Sequence, residues 1–312
     1  MNRRKFIQQT AAASSLILAN QFPIESLAAD NQRNKQLTIL HTNDVHSRLD
    51  PFPMDGSKYQ GMGGVANRKK KIDEFRQTND TILLLDSGDI FQGTPYFNLY
   101  KGEPEMKVMS ALGYDAGTIG NHDFDGGIEN LAVQLQHANF PLVNCNYNFT
   151  NTPLEHKIPP YTIIKRNELK IGILGVGIQL KGLVLEEMYG NTTYNHPVAK
   201  ANEYAHLLKI KKKCDMVICL SHLGYDYKDD KISDKTFATQ TEHIDLILGG
   251  HTHTFLDKPF STKNKSGKEI LINQVGWAGI QLGCLKFDFF QQNDKDISLN
   301  SHSGIFLTKT SM

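Results

Sequence analysis

Gly120-Asn121-His122-Asp123-Phe124-Asp125 sets an amide, an imidazole and two carboxylates in a row after the short apolar run Ala116-Gly117-Thr118-Ile119. An Asn carbonyl oxygen can bind a metal while the neighbouring imidazole handles protons. Alone, such a stretch is a polar turn after a strand, because Asn and Asp are turn formers. Other apolar runs close on the same kind of cargo. They lead into Asn43-Asp44-Val45-His46, Asp86-Ser87-Gly88-Asp89, Ser221-His222-Leu223-Gly224 and Gly249-Gly250-His251-Thr252-His253. In open α/β sheets, ligands bind outside the carboxyl ends of the strands, so these loops are expected to converge on one edge.

Spacing adds to composition. Asp44 and His46 are two apart, as are His251 and His253. In extended chain, each pair points to one face and can grip one region. The set of carboxylates, imidazoles and an amide exceeds what one ion needs. Two ions need a shared ligand, and Asp89, between a glycine turn and an apolar stretch, is the natural bridge. Two divalent ions about 3.5–4 Å apart suit phosphate-ester hydrolysis. Oxygen plus imidazole favours Mn, Zn, Fe or Co over Ca or thiolate-bound Zn.

The elements that must carry these residues alternate. Strands are expected over 37–41, 81–85, 116–119, 142–145, 216–220 and 244–248, with a hairpin from 161–165 and 170–176 turning at Asn167-Glu168. Helices are expected over 65–77, 105–112, 131–138 and 199–213. The C-terminal runs 269–273, 279–289 and 297–307 read as an antiparallel meander. The pattern is that of a mixed α/β domain with two sheets and outer helices.

The 312 residues are 39% hydrophobic and 21% charged, with a formal net charge of +1. These are globular values, and they give no electrostatic reason for a nucleic-acid partner. Residues 1–28 read as a leader. Arg3 and Arg4 form a twin-arginine pattern, an Ala-rich apolar run covers 11–19, and Ser26-Leu27-Ala28 offers a cleavage site. The apolar run is shorter than the ~20 residues a bilayer needs, so no stable membrane anchor is expected after its removal. Export by the twin-arginine route, to the periplasm or cell surface, suits a chain that loads metal while still in the cytoplasm. Residues 29–312 are expected to form the catalytic domain. Cys214 and Cys219 flank one strand and would sit about 16 Å apart, too far for a disulfide. With Cys145 and Cys284 they read as small buried hydrophobes. His41, inside the first strand, reads as a packed or hydrogen-bonded histidine.

Taken in order, Asp-x-His, Gly-Asp, Gly-Asn-His-Asp, a lone His after a strand and Gly-His-x-His resemble the signature of the calcineurin-like metallophosphoesterases. Leu40-His41-Thr42-Asn43-Asp44, Gly88-Asp89-Ile90-Phe91-Gln92-Gly93 and Gly120-Asn121-His122-Asp123-Phe124-Asp125 resemble, within them, the catalytic domain of the bacterial 5′-nucleotidase family. The resemblance implies a four-layer fold, two mixed β-sheets packed as a sandwich with flanking helices. It implies that Asp44, His46, Asp89 and His253 hold one ion, and that Asp89, Asn121, His222 and His251 hold the other. A hydroxide between the ions would attack phosphorus in line. His122 would assist the leaving oxygen, with Asp125 orienting the imidazole and Asp123 its rival in that role. Many members carry Gln where this chain has His253, which leaves the metal open.

The expected activity is hydrolysis of phosphate monoesters, nucleotides above all. A cyclic-nucleotide phosphodiesterase or nucleotide-sugar pyrophosphatase is the alternative with the same core. A metal-stabilised binding subunit without turnover is the alternative of another class, and an intact His122 argues against it. No residue is read as substrate-binding. Nucleotide-acting members usually add a second domain with stacking aromatics, and the tail of this sequence offers no such clamp. A separate nucleotide-binding polypeptide is therefore an expected partner.

Overall fold

The computed structural model describes residues 35–78, 81–290 and 296–308. The expected leader, residues 1–28, lies outside the described residues. In chain order the strands are β1 (Lys35–Thr42), β2 (Ile82–Asp86), β3 (Ala116–Gly117), β4 (Tyr147–Asn148), β5 (Tyr161–Arg166), β6 (Leu169–Gly177), β7 (Thr193–Tyr194), β8 (Met216–His222), β9 (Leu246–Leu248), β10 (Phe260–Lys263), β11 (Glu269–Asn273), β12 (Gln281–Phe290) and β13 (Asp296–Phe306). The α-helices are α1 (Val65–Thr78), α2 (Pro95–Tyr100), α3 (Glu103–Leu112), α4 (Ile128–Gln134), α5 (Glu186–Tyr189), α6 (Pro197–His206) and α7 (Asp234–Gln240).

Two sheets carry the fold. One has the order β13-β12-β1-β2-β3, the other β10-β11-β9-β8-β6-β5. The strands alternate, and each face finds a different core. Leu37, Ile39, Leu83 and Leu85 of the first sheet meet Ile171, Ile173, Met216, Ile218, Leu220, Leu246 and Leu248 of the second. Leu40, Ile82 and Leu84 face the other way, onto Ile72, Met106, Met109 and Leu112 of α1 and α3. On the far side, Val217, Cys219 and Ile247 pack on Ala201, Ala205 and Phe237 of α6 and α7. The result is the four-layer α-β-β-α sandwich that the resemblance implied. All four cysteines are free and buried. The expected hairpin is β5–β6, and its turn residues Asn167 and Glu168 both have positive φ, as a tight two-residue turn requires.

Four expected elements differ, among them the helix over 131–138, which is α4 from Ile128 to Gln134 followed by a 3-10 turn, Leu135–His137. Residues 142–145 are not a strand. Leu142 makes an isolated bridge with Gly117, and the Val143 and Cys145 amides donate to the Gly117 and Gly175 carbonyls. The segment therefore crosses from an edge of one sheet to the other, which gives it no continuous partner. The expected helix over 199–213 ends as α-helix at His206 and continues as a π turn, Leu207–Lys211. The C-terminal meander is divided. β11 runs parallel to β9 and antiparallel to β10 in the second sheet, whereas β12 and β13 join the first. Residues 274–280 carry the chain between them. Alternation alone marks a strand, not the sheet it joins.

One buried polar contact ties the sheets together. The side-chain amide of Asn273, at the end of β11, donates to His41 Nε2 on β1 at 2.8 Å. Gly283 on β12 makes room for that imidazole, since a Cβ there would lie 2.1 Å from His41 Nε2. Burial depresses His41 from 6.5 to about 3. A histidine held neutral in the fold stabilises fully above 6.5 and loses that contribution as pH falls towards 3. His41→Gln, which keeps an acceptor, should flatten the acid branch. Between pH 7 and 4.5, wild type should lose roughly 2–3 kcal/mol more unfolding free energy than the variant, measured by urea denaturation.

Candidate metal centre

The strand-end loops meet at one edge of the sandwich. Asp44, His46 and His253 offer ligand atoms within 4.8 Å of one another, and so do Asp89, His222 and His251. The groups touch. Asp89 Oδ2 lies 3.0 Å from His222 Nε2 and 3.9 Å from His46 Nε2, and Asp44 Oδ1 lies 3.4 Å from His253 Nε2. Asn121 is buried beside them, and its Oδ1 has no hydrogen-bond partner among the described residues. Six of the seven residues singled out as metal-ligating in the sequence thus form two adjoining groups, with Asp89 reaching towards His46 of the other, and Asn121 adds a buried, unpartnered carbonyl oxygen from the loop of His122.

The imidazoles are aimed by their other nitrogen. His46 Nδ1 lies 3.2 Å from the Phe91 carbonyl, and His222 Nδ1 lies 2.7 Å from that of Ser87. Each Nδ1–H therefore donates outward and leaves Nε2 facing the cluster. His46 Nε2 and His253 Nε2 approach to 3.0 Å. Two lone pairs so close need a cation or a proton between them. Burial lowers the His46 pKa, and burial followed by the charge of His222 takes His251 down to about 4. Both are held in the form that ligates metal. Burial disfavours a proton on His222 as well, but Asp89 and Asp44 outweigh it and raise this imidazole to about 10. Orphaned Asn121 Oδ1, facing imidazole nitrogens and paired carboxylates fit a divalent transition metal.

The two aspartates after His122 divide their work. Asp125 Oδ2 lies 2.7 Å from His122 Nδ1, and this contact, ahead of the opposing burial, raises the His122 pKa. His122 Nε2 is thereby left to face solvent and substrate. Asp123 does something else. Its carboxylate is fully buried and accepts from the backbone amides of Asp89 (3.1 Å), Ile90 (2.9 Å), Phe91 (3.0 Å) and Gly120 (2.8 Å). It fastens the loop of Asp89 to the loop of Asn121 and does not reach the imidazole by a hydrogen bond.

The backbone is bent to deliver these side chains. Asp44, His46, Asp89, His251 and His253 all have positive φ, between 50° and 71°. Non-glycine residues adopt this region at a cost, and it clusters at functional sites. Close approach explains two glycines. A Cβ on Gly120 would lie 2.2 Å from Asp89 Oδ1, and one on Gly250 would lie 2.8 Å from His222 Nδ1.

Several supporting residues escaped the sequence reading. Asn43 donates to Asp44 Oδ2 at 2.6 Å and accepts from the Val275 amide at 3.0 Å. Gln274 accepts from Thr252 Oγ1 at 3.1 Å and from the Thr254 amide, bracing the loop of His251 and His253. Trp277 stacks on His253, with ring centroids 5.6 Å apart and planes 5° from parallel. Their signal was position: Asn43 adjoins a ligand, and the other two lie on the crossing between the sheets.

A calcineurin-like phosphoesterase family model matches residues 37–255, and the chain belongs to that family of metal-dependent phosphoester hydrolases. More narrowly, it is similar to 5′-nucleotidases. It is 34% identical to the snake venom 5′-nucleotidase of Gloydius brevicauda over 295 residues, 88% of this chain and 48% of that protein. It is 33% identical to the 5′-nucleotidase of Bos taurus over 299 residues, 89% of this chain and 50% of that protein. The crystal structure of a 5′-nucleotidase precursor from Thermus thermophilus superposes with a TM-score of 0.79 at 29% identity, covering 88% of this chain and 55% of that one. The chain spans about half the length of the curated relatives it matches.

The division between Asp123 and Asp125 is testable. Asp123→Ala strands four buried amides, each costing about 1–3 kcal/mol. It should lower stability by at least ~3 kcal/mol and abolish stoichiometric metal uptake. Asp125→Ala should melt within a few degrees of wild type and keep its metal. Thermal unfolding with metal analysis of the purified variants checks both.

Proposed function

We propose that this chain is an exported phosphomonoesterase of the 5′-nucleotidase type, working with two divalent ions. The observation that carries the reading is the pair of ligand groups meeting at Asp89, with the His122–Asp125 pair alongside. Asp44, His46, Asp89 and His253 would hold one ion, and Asp89, Asn121, His222 and His251 the other, drawn from Mn, Zn, Fe or Co. When bound, the ions would lower the pKa of the attacking water and offset charge on the phosphate oxygens. The chain's own residues do the rest. His122 carries a proton on Nε2 towards the leaving oxygen. Asp125 fixes the imidazole through Nδ1 and favours its charged form. The His122 amide donates to Asp89 Oδ1 at 2.8 Å, so the acid and the shared carboxylate move as one unit.

Nucleotides are the proposed substrates, on the similarity to 5′-nucleotidases. The cavity beside the centre is about 200 Å³, room for a phosphate and the start of its leaving group. Base recognition then falls to surface outside the metal loops. A separate nucleotide-binding polypeptide would supply it.

Chelator should abolish hydrolysis of an aryl phosphate, and added Mn²⁺ should restore it. His122→Ala should keep its metal but slow turnover on alkyl phosphates by roughly 10²–10⁴-fold, the usual worth of a positioned acid. Activity that survives exhaustive chelation contradicts the reading.

Residues 1–28 are proposed as a twin-arginine leader and residues 29–312 as the catalytic domain. Among the described residues, no helix is long and apolar enough to cross a membrane. Replacing Arg3 and Arg4 with Lys should hold the precursor in the cytoplasm, visible by fractionation and immunoblotting. Unchanged export would assign the chain to a route for unfolded precursors.

A further inference from the structure

One cation, Arg48, lies at the mouth of the candidate metal centre. His46, His122 and His253 form one side of the 200 Å³ cavity, and Arg48, Gln92 and Trp277 complete its wall. Arg48 follows two positive-φ residues, His46 and Ser47, so its position is set by the same bend that presents His46. Its guanidinium carbon sits 4.3 Å over the Phe52 ring. Phe52 in turn meets Trp277 edge to face, with centroids 5.7 Å apart. The guanidinium is thus held on an aromatic shelf beside the imidazoles.

Arg48 Nε is buried and, among the described residues, lacks a hydrogen-bonded acceptor. Asp50 acts on it through space, but Asp50 Oδ2 already accepts the Tyr96 hydroxyl at 2.8 Å. A half-buried guanidinium without a hydrogen-bonded carboxylate keeps part of its desolvation cost uncompensated. Its planar fork matches two oxygens of one phosphate, which a single ammonium cannot do.

We propose that Arg48 is a substrate-binding residue of this chain, its guanidinium gripping two non-bridging oxygens of the phosphate attacked at the metal centre. The inference rests on the phosphoesterase reading above and refines it. A monoester brings a dianionic phosphate with three non-bridging oxygens, whereas a diester brings a monoanion with two. Ions held by the two ligand groups would add positive charge at the same phosphate, and a bidentate guanidinium beside them would favour the monoester. Arg48 therefore tilts the site away from the diesterase alternative.

The experiment uses the only tryptophan in the chain, Trp277, which lines the same cavity. Its emission should change as inorganic phosphate is titrated into the metal-loaded protein. Arg48→Ala should weaken phosphate binding by about 10- to 100-fold, the worth of a charge-assisted hydrogen-bond pair. KM for an aryl phosphate monoester should rise in step. KM for a bis-aryl phosphate diester should change by less than about threefold, since its monoanion uses the fork weakly. Arg48→Met and Arg48→Lys keep the stem over Phe52 and carry the same test if the alanine variant does not fold. Met should match Ala, and Lys should fall between Ala and wild type. Phosphate affinity and monoester KM within twofold of wild type in the Ala or Met variant overturn the proposal, as do equal increases for both esters. Failure of the wild type to bind phosphate or cleave either ester would instead strike the phosphoesterase reading itself.

Discussion

The Asp123 carboxylate is the contact on which this site depends. Four backbone amides from two loops end on its two oxygens. Those amides belong to turns that no sheet ladder can satisfy, and they are buried. Without an acceptor, each would carry a desolvation cost as large as a net hydrogen bond or larger. With it, the turn of Asp89 and the turn of Asn121 become one rigid piece. The shared position of Asp89, the orphaned oxygen of Asn121 and the placement of His122 all follow from that piece.

Charge is arranged around it with little slack. Asp123 is pushed upward by burial and by the nearby Asp89 carboxylate, and its amide donors oppose that push. Asp89 is buried too, yet the charge and hydrogen bond of His222 hold it well below the usual carboxylate range. Asp89 and His222 are thus held as an ion pair inside the cluster. Left-handed backbone at five of the seven candidate ligands is a further cost, borne by the two sheets behind them.

Much of this was legible in the sequence because it is periodic or local. Apolar runs at 37–41, 81–85 and 216–220 located the central strands, and each is followed by the residues that enter the cluster. The resemblance put Asp125 on His122 with Asp123 as its rival, and geometry separated them by showing what each carboxylate holds. Other features were hidden for physical reasons. Residues 142–145 look like a strand, since Val143 is fully buried, but they bridge two sheets and pair fully with neither. β11 looks like the start of a meander, but its partner β9 precedes it across a parallel connection. Arg48, Gln274 and Trp277 have no motif, because their work is set by what the crossing 274–280 brings near. α2 and α7 carried readable signals in Pro95 and in the Ser233 capping box, within helices too short for periodicity to register.

The hydrogen bond from the His251 amide to Asp44 joins residues 207 positions apart. That separation makes closure of the cluster a non-local contact. The two ligand groups lie next to each other only where both sheets are formed and docked, and non-local closures of this kind are slow. A chain with either sheet unformed has local fragments of the site, such as Asp44 with His46 or His251 with His253, and no complete group. The complete ligand groups and the docked sandwich therefore rest on the same long-range contacts.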